Sequence, residues 1–138
     1  MAIVVPTQSL SEILTDLIST DLNGCVIRLY TVNITPGPTT TLASLLAAEA
    51  SFPGYTPFTI NDWSTPTINT SNDAQTSTGS PAWTPTAAGG TGNLYGYFLT
   101  NAAGTKWYGA ELFTGAPLSS AQSVPFNVDV TYTAGSAA

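Results

Sequence analysis

The chain has 138 residues and a net charge of −6, with no histidine, one cysteine and only 7% charged residues. That length suits one domain with a core of its own, so neither a metal nor a disulfide is needed to hold it together. Arg28 and Lys106 are the only cations against eight carboxylates, which leaves no phosphate-neutralising patch and excludes a nucleic-acid partner.

Residues 1–8 read as a short apolar arm. Ser9 and Glu12 then have the spacing of a capping box, and Leu10, Ile13, Leu14, Leu17 and Ile18 follow at helical intervals, so a helix is expected at about 9–20. Asn23-Gly24 supplies the stop. Cys25–Val32 is β-branched and aromatic, bounded by Gly24 and by Thr35-Pro36-Gly37-Pro38, and reads as a strand. Residues 41–50 turn rich in Ala and Leu, which favours a short second helix.

The remainder is β in character: Tyr55–Asn61, Thr65–Thr70, Ala82–Ala87, Leu94–Asn101, Thr105–Phe113 and Val124–Thr133, punctuated by Gly and Pro. Strands this short and this often interrupted suggest an antiparallel β-sandwich or barrel rather than βαβ units. Ala102-Ala103-Gly104 joins the fourth and fifth of these runs, the best hairpin in the chain. The polar stretch Ser71–Pro81 reads as a long mobile loop, and 135–138 as a frayed tail. The expected organisation is an arm at 1–8, a single β-sandwich domain with its N-terminal helix at 9–134, and that tail.

Chemistry is scarce. Without histidine, Ser-His-Asp, Cys-His and His-zinc arrangements are all impossible. Glu49, Asp62, Glu111 and Asp129 are the carboxylates a glycosidase would have to pair, yet their positions near strand ends suit solvated or turn-bonded groups. Asn72-Asp73 reads as a turn rather than a calcium site. Gly89-Gly90-Thr91-Gly92 lacks the Lys-Ser/Thr of a phosphate cradle. The expectation is therefore a protein that is not an enzyme and has no catalytic, cofactor-binding or metal-binding residue.

Cys25 reads as a buried core thiol, and a lone cysteine allows no intrachain bridge. Asn33-Ile34-Thr35 and Asn69-Thr70-Ser71 match the glycosylation pattern, which a chain this rich in Ser and Thr produces by chance. The start lacks the features of a signal peptide, and no run approaches the roughly 18 apolar residues of a membrane span. No membrane partner is expected.

Trp63, Trp83 and Trp107 with Tyr55, Tyr95, Tyr97 and Tyr108 form a heavy aromatic load on β segments, read first as core and cross-strand packing. Tyr95, Tyr97 and Leu99 alternate with Leu94, Gly96 and Phe98, so both faces of that strand look covered, as they would beside a neighbouring subunit. Ile3, Val4 and Val5 lie outside any amphipathic pattern and are costly to expose. Ile3, Val4, Val5, Tyr95 and Tyr97 are thus the candidate interface.

The order of a helix, then Cys-Val-Ile-Arg-Leu-Tyr-Thr-Val-Asn (25–33), Phe-Pro-Gly-Tyr-Thr-Pro (52–57) and Leu-Tyr-Gly-Tyr-Phe-Leu-Thr-Asn-Ala-Ala-Gly-Thr-Lys-Trp-Tyr-Gly-Ala-Glu-Leu-Phe (94–113) resembles small jelly-roll capsid decoration (cement) proteins of tailed bacteriophages. The resemblance implies a jelly-roll-like β-sandwich, a homo-oligomer that is a trimer or dimer with the trimer expected first, bound to the major capsid protein on the outside of the virion and made in the host cytoplasm. The alternatives it leaves are a tail, neck or fibre subunit and a carbohydrate-binding β-sandwich module.

Overall fold

The computed structural model describes residues 6–86, 92–114, 118–119 and 125–134. It is mainly strand, in antiparallel sheets, with a short helix near the N-terminus. In chain order the elements are α1 (Thr7–Leu17), a π-helical turn (Ile18–Leu22), β1 (Cys25–Tyr30), α2 (Leu42–Ala47), β2 (Phe58–Ile60), β3 (Thr67–Ile68), β4 (Ala74–Ser77), β5 (Ala82–Trp83), β6 (Asn93–Leu94), β7 (Gly96–Thr100), β8 (Trp107–Leu112), β9 (Leu118–Ser119), β10 (Phe126–Asn127) and β11 (Thr131–Ala134). By contact the chain divides into two compact units. One comprises Met1–Asn23, Ile60–Pro81 and Val128–Ala138; the other comprises Gly24–Thr59 and Ala82–Asn127.

In the first unit α1 starts at Thr7 and takes in Thr7 and Gln8 of the expected arm. The expected Ser9–Glu12 capping box is not formed. Pro6 is the N-cap, extended at φ −67° and ψ 149° and without a side-chain cap, and its carbonyl already accepts the Ser9 and Leu10 N–H groups. Proline's preset φ starts the turn early, so Ser9 falls inside the helix. Leu10 and Leu14 are buried, whereas Ile13, expected on the same face, is 51% exposed. The last turn widens: Asn23 N–H bonds to Ile18 O at 2.9 Å, a span of five residues. Gly24 then takes a positive φ of 82°, as the stop signal requires.

The three-stranded sheet of this unit runs β11-β4-β3. Its centre, β4, lies within Ser71–Pro81, the stretch expected to be a long mobile loop. That expectation is corrected: Gln75 and Ala74 pair with Thr67 and Ile68 on one side and with Thr133 and Ala134 on the other. The strand shows period-two burial with only small side chains inward, Ala74 and Thr76, so hydropathy gives no sign of it. Thr76 compensates its buried hydroxyl by donating to Ser64 O at 2.6 Å. The hairpin turn before it rests on Asn69, whose Oδ1 accepts the Ser71 and Asp73 N–H groups. Asn72 sits at φ 62°, in keeping with its expected turn role, since Asn tolerates this region best among non-glycine residues.

The four-stranded sheet runs in the order β2-β1-β7-β8, with β1, β7 and β8 in the second unit and β7 antiparallel to both β1 and β8. All of β7 is buried, and only Arg28 in β1 is less than buried. Both faces of β7 are therefore covered, as its sequence suggests, and β1 reads as the near-continuous apolar run of a strand buried on two sides. Cys25 is buried within it. On one face, α2 brings Leu45 and Ala48 onto Tyr30 and Phe98, with Ala110 and Leu112 at the margin. Full burial of each large side chain contributes about 1.5–3 kcal/mol. Thr41, the residue before α2, accepts the Ser44 N–H on its hydroxyl and so caps the helix.

Gly96 is required by its neighbour across the strands. A Cβ there would lie 2.2 Å from the Tyr30 hydroxyl and 2.1 Å from Glu111 O, because the Tyr30 side chain crosses the glycine and donates toward Glu111 O and Ile34 O. Burial pushes the Tyr30 hydroxyl up to about 12, with the charge of Glu111 adding to it. The β7–β8 connection is longer than the expected Ala102-Ala103-Gly104. Asn101 N–H bonds to Lys106 O at 2.9 Å, and the Asn101 side chain accepts the Thr105 and Lys106 N–H groups. A register shift at Leu99/Thr100 accompanies it, and Gly104 takes the positive φ, 69°.

A second aromatic group lies in the same unit. Trp83 stacks on Phe126 at 5.9 Å, Phe126 lies 6.0 Å from Phe52, and Phe58 meets Trp83 edge-on at 6.2 Å. It accompanies the two-stranded β10-β5 pair, while β6 pairs with β9.

Candidate functional site

The four carboxylates that a hydrolase would need are each engaged in a structural bond. Glu49 receives Arg28 Nη1 on both oxygens, at 2.9 and 3.1 Å, and the Tyr55 hydroxyl on Oε1 at 3.0 Å. Arg28 Nε meanwhile donates to Thr100 Oγ1 at 3.1 Å. Their side chains are only 16% and 20% exposed. The Tyr55 hydroxyl also accepts the Leu29 N–H at 3.1 Å, and its burial raises its pKa well above the ordinary phenol value. This network ties the chain leaving α2 to β1 and β7. It holds the two charges in a fixed pair.

Glu111 accepts the Tyr97 hydroxyl at 2.6 Å. In the first unit, Asp62 accepts the Gly79 N–H at 2.9 Å and Asp129 accepts the Ser80 hydroxyl at 2.5 Å. Glu49 and Glu111 belong to one unit, Asp62 and Asp129 to the other. Among the described residues no group of three His, Cys, Asp or Glu is placed to hold a metal ion, and no buried side-chain nitrogen or oxygen lacks a partner.

Trp83 is buried and its Nε1 donates to Thr56 O at 2.7 Å. Trp63 is half-buried with its Nε1 donating to Leu22 O at 2.9 Å, and Trp107, also half-buried, packs beside the α2 core. Tyr108 carries Lys106 Nζ over its ring at 5.2 Å.

Of the candidate interface residues, Ile3, Val4 and Val5 lie outside the described residues. Tyr97 is 4% exposed, with Phe113 6.2 Å from its ring and Glu111 on its hydroxyl. Tyr95 is half-buried, its N–H on Tyr30 O and its carbonyl receiving the Phe113 N–H. The structure therefore places both tyrosines within the β1–β7–β8 sheet region rather than on an open surface.

Two features escaped sequence reasoning. One is an open cleft of about 450 Å³ along α1, lined by Ser11, Glu12, Thr15, Asp16, Thr65 and Pro66. The other is that, among the described residues, β8 is the last strand of the four-stranded sheet. Sequence shows a hairpin but not which of its strands becomes the edge, because the neighbour across a sheet can come from anywhere in the chain. The opposite flank of β1 is differently placed: Ala50 N–H bonds to Leu29 O and Thr31 N–H to Ala48 O, so the chain after α2 covers it beside β2.

Comparison with protein-family models, with curated proteins and with solved structures finds no match.

Proposed function

We propose that this chain is a non-enzymatic structural subunit of a tailed-phage virion, a capsid decoration protein that binds the outer surface of the shell and stabilises contacts of the major capsid protein. In this reading the chain folds as a jelly-roll-like β-sandwich, self-associates and needs no cofactor. The observation that carries the reading is the engagement of Glu49, Asp62, Glu111 and Asp129 in structural bonds. Polar groups so used make a scaffold, and a decoration protein works through buried area repeated over many copies. The jelly-roll decoration resemblance of residues 25–33, 52–57 and 94–113 supplies the choice of virion. The buried indole of Trp83 weighs against its use in a sugar-binding platform, which needs aromatic faces open to solvent.

In this reading the apolar Ile3, Val4 and Val5 strap the chain to the shell. Because Pro6 and Thr7 begin α1, the informative truncation removes residues 2–5 and leaves the helix start in place. The experiment is quantitative mass spectrometry of purified particles, followed by rebinding of intact and truncated chain to particles stripped of it. Hundreds of copies per particle are expected, with reduced occupancy for the truncation. A handful or a few dozen copies would instead mark a tail, neck or fibre part and overturn the reading.

A further inference from the structure

We propose that Asn23 is a site of self-modification, held closed in the native fold by the indole of Trp63 and able to lose ammonia whenever the turn at the end of α1 loosens. Asn23 is the only asparagine followed by glycine. Its side chain is exposed, and a glycine next in the chain, having no Cβ, leaves its own nitrogen unshielded by a side chain. Every other asparagine precedes a residue with a side chain. Asn69 and Asn101 also commit their amides to hydrogen bonds. Each Oδ1 accepts two backbone N–H groups, while the Nδ2 groups donate to Gln75 Oε1 and Thr105 Oγ1.

The reaction needs nothing but water. The Gly24 nitrogen attacks Asn23 Cγ, so that an N–C bond forms as the Cγ–Nδ2 bond breaks. Nδ2 leaves as ammonia with the proton that the Gly24 N–H gives up. Water then opens the cyclic imide at either carbonyl, leaving aspartate or isoaspartate at position 23, with no oxidation or reduction.

The native geometry opposes the first step. Asn23 sits at φ −66° and ψ 123°, which turns the Gly24 nitrogen away from Cβ, whereas ring closure needs ψ swung to its negative side. The angle is held by the residues before it. The Asn23 N–H bonds to Ile18 O at 2.9 Å and closes the π-helical turn, a rare local geometry. Leu22 is fully buried, and its carbonyl accepts Trp63 Nε1 at 2.9 Å. Trp63 in turn meets Tyr132 edge-on at 6.3 Å. An indole remote in sequence therefore clamps the last carbonyl before Asn23.

Modification would not be silent. It adds a carboxylate close to Asp21 at the C-terminal end of the helix, where negative charge is unfavourable, in a unit whose carboxylates have no Lys or Arg among them. Isoaspartate also routes the main chain through Cβ and Cγ and so lengthens it just after the clamped Leu22. A transient opening of the turn becomes permanent.

The test is peptide mass spectrometry of the full chain incubated at mildly alkaline pH, native and in urea, scoring aspartate and isoaspartate at position 23. The native chain should react at least about tenfold more slowly, because only locally opened molecules react. Trp63→Phe keeps an aromatic ring but removes the donor, and it should speed the native reaction about fivefold, the factor that one neutral hydrogen bond is worth. Asn69→Ala, which loosens the β3–β4 turn of the same unit, should leave the rate unchanged. If Trp63→Phe does not fold, amide exchange of the native chain decides: across temperature the reaction should follow opening at the Asn23 amide and not at the slowest amides. A native rate equal to that in urea, no reaction in urea, no acceleration by Trp63→Phe, equal acceleration by Asn69→Ala, or a rate that follows global unfolding would each overturn the proposal.

Discussion

The two units solve the problem of packing in different ways. The second buries Tyr30, Tyr97 and Phe98 in its four-stranded sheet and Phe52 and Trp83 in a separate aromatic group, and its charges cancel. The first buries leucines from α1 and, in its sheet, small residues such as Ala74 and Thr76; it also holds the whole net charge of −6. Large apolar side chains announce themselves in sequence and stabilise through area. A sheet centred on Ala and Thr depends instead on hydroxyl and backbone bonding, and it is legible only once its partners are in place.

That contrast can be tested by removing one group from each unit. Phe98→Ala should cost about 3–5 kcal/mol, the usual range for a core aromatic, measured by chemical denaturation. A loss under about 1 kcal/mol would break the picture of β7 as the spine of the aromatic unit. Arg28→Ala should cost about 2–3 kcal/mol, somewhat less than the ~3–5 kcal/mol of a fully buried pair, because Arg28 and Glu49 retain some exposure. Restoring stability by the further change Glu49→Gln would show that the stranded carboxylate carries much of that loss.

Alkaline titration probes the same unit. The Tyr30 hydroxyl ionises at about 12 when folded against about 10 in the unfolded chain. The folded state thus holds its proton after the unfolded state has lost it, and stability falls as pH rises from about 10 through 12. Tyr55 is displaced in the same direction, and Tyr55→Phe should flatten the decline seen in denaturation midpoints.

In the first unit, Thr76→Val keeps shape but removes the hydroxyl that donates to Ser64 O, and it should cost about 1 kcal/mol. Burial of Ala74 and Thr76 alone would predict no loss, so a neutral outcome would remove the distinction between the units. Smallest of all, added salt should slow exchange of β4 amides more than that of β7 amides, because screening relieves repulsion only where charge is unbalanced. Equal responses would show that the asymmetry in charge has no mechanical consequence.

How much was legible follows the same division. β1, α2 and the β7–β8 hairpin are written in runs of branched, aromatic or Ala-Leu residues whose period matches their structure. β4 is not, since Ser71–Pro81 has the composition of a loop and becomes a strand only because Thr67–Ile68 and Thr131–Ala134 flank it. The start of α1 was displaced because local capping chemistry at Ser9 lost to the geometry of Pro6. The candidate tyrosines were found as aromatics on a strand covered on both faces, but what Tyr97 meets could not be, since Glu111 and Phe113 reach it from across the hairpin.

By itself, then, the sequence determined that histidine chemistry is impossible, that the chain is mainly β with a helix near its start, that Cys25–Val32 carries a strand and that Leu94–Phe113 carries a hairpin. These follow from composition and from periodicities that act over a few residues. Tertiary structure alone decided that the carboxylates are held by Arg28, Tyr55, Tyr97, Gly79 and Ser80, that β4 is a central strand, and that β7 lies between β1 and β8. Each of these depends on which distant segment becomes a neighbour, and a hydrogen bond or a strand pairing exists only when both partners arrive.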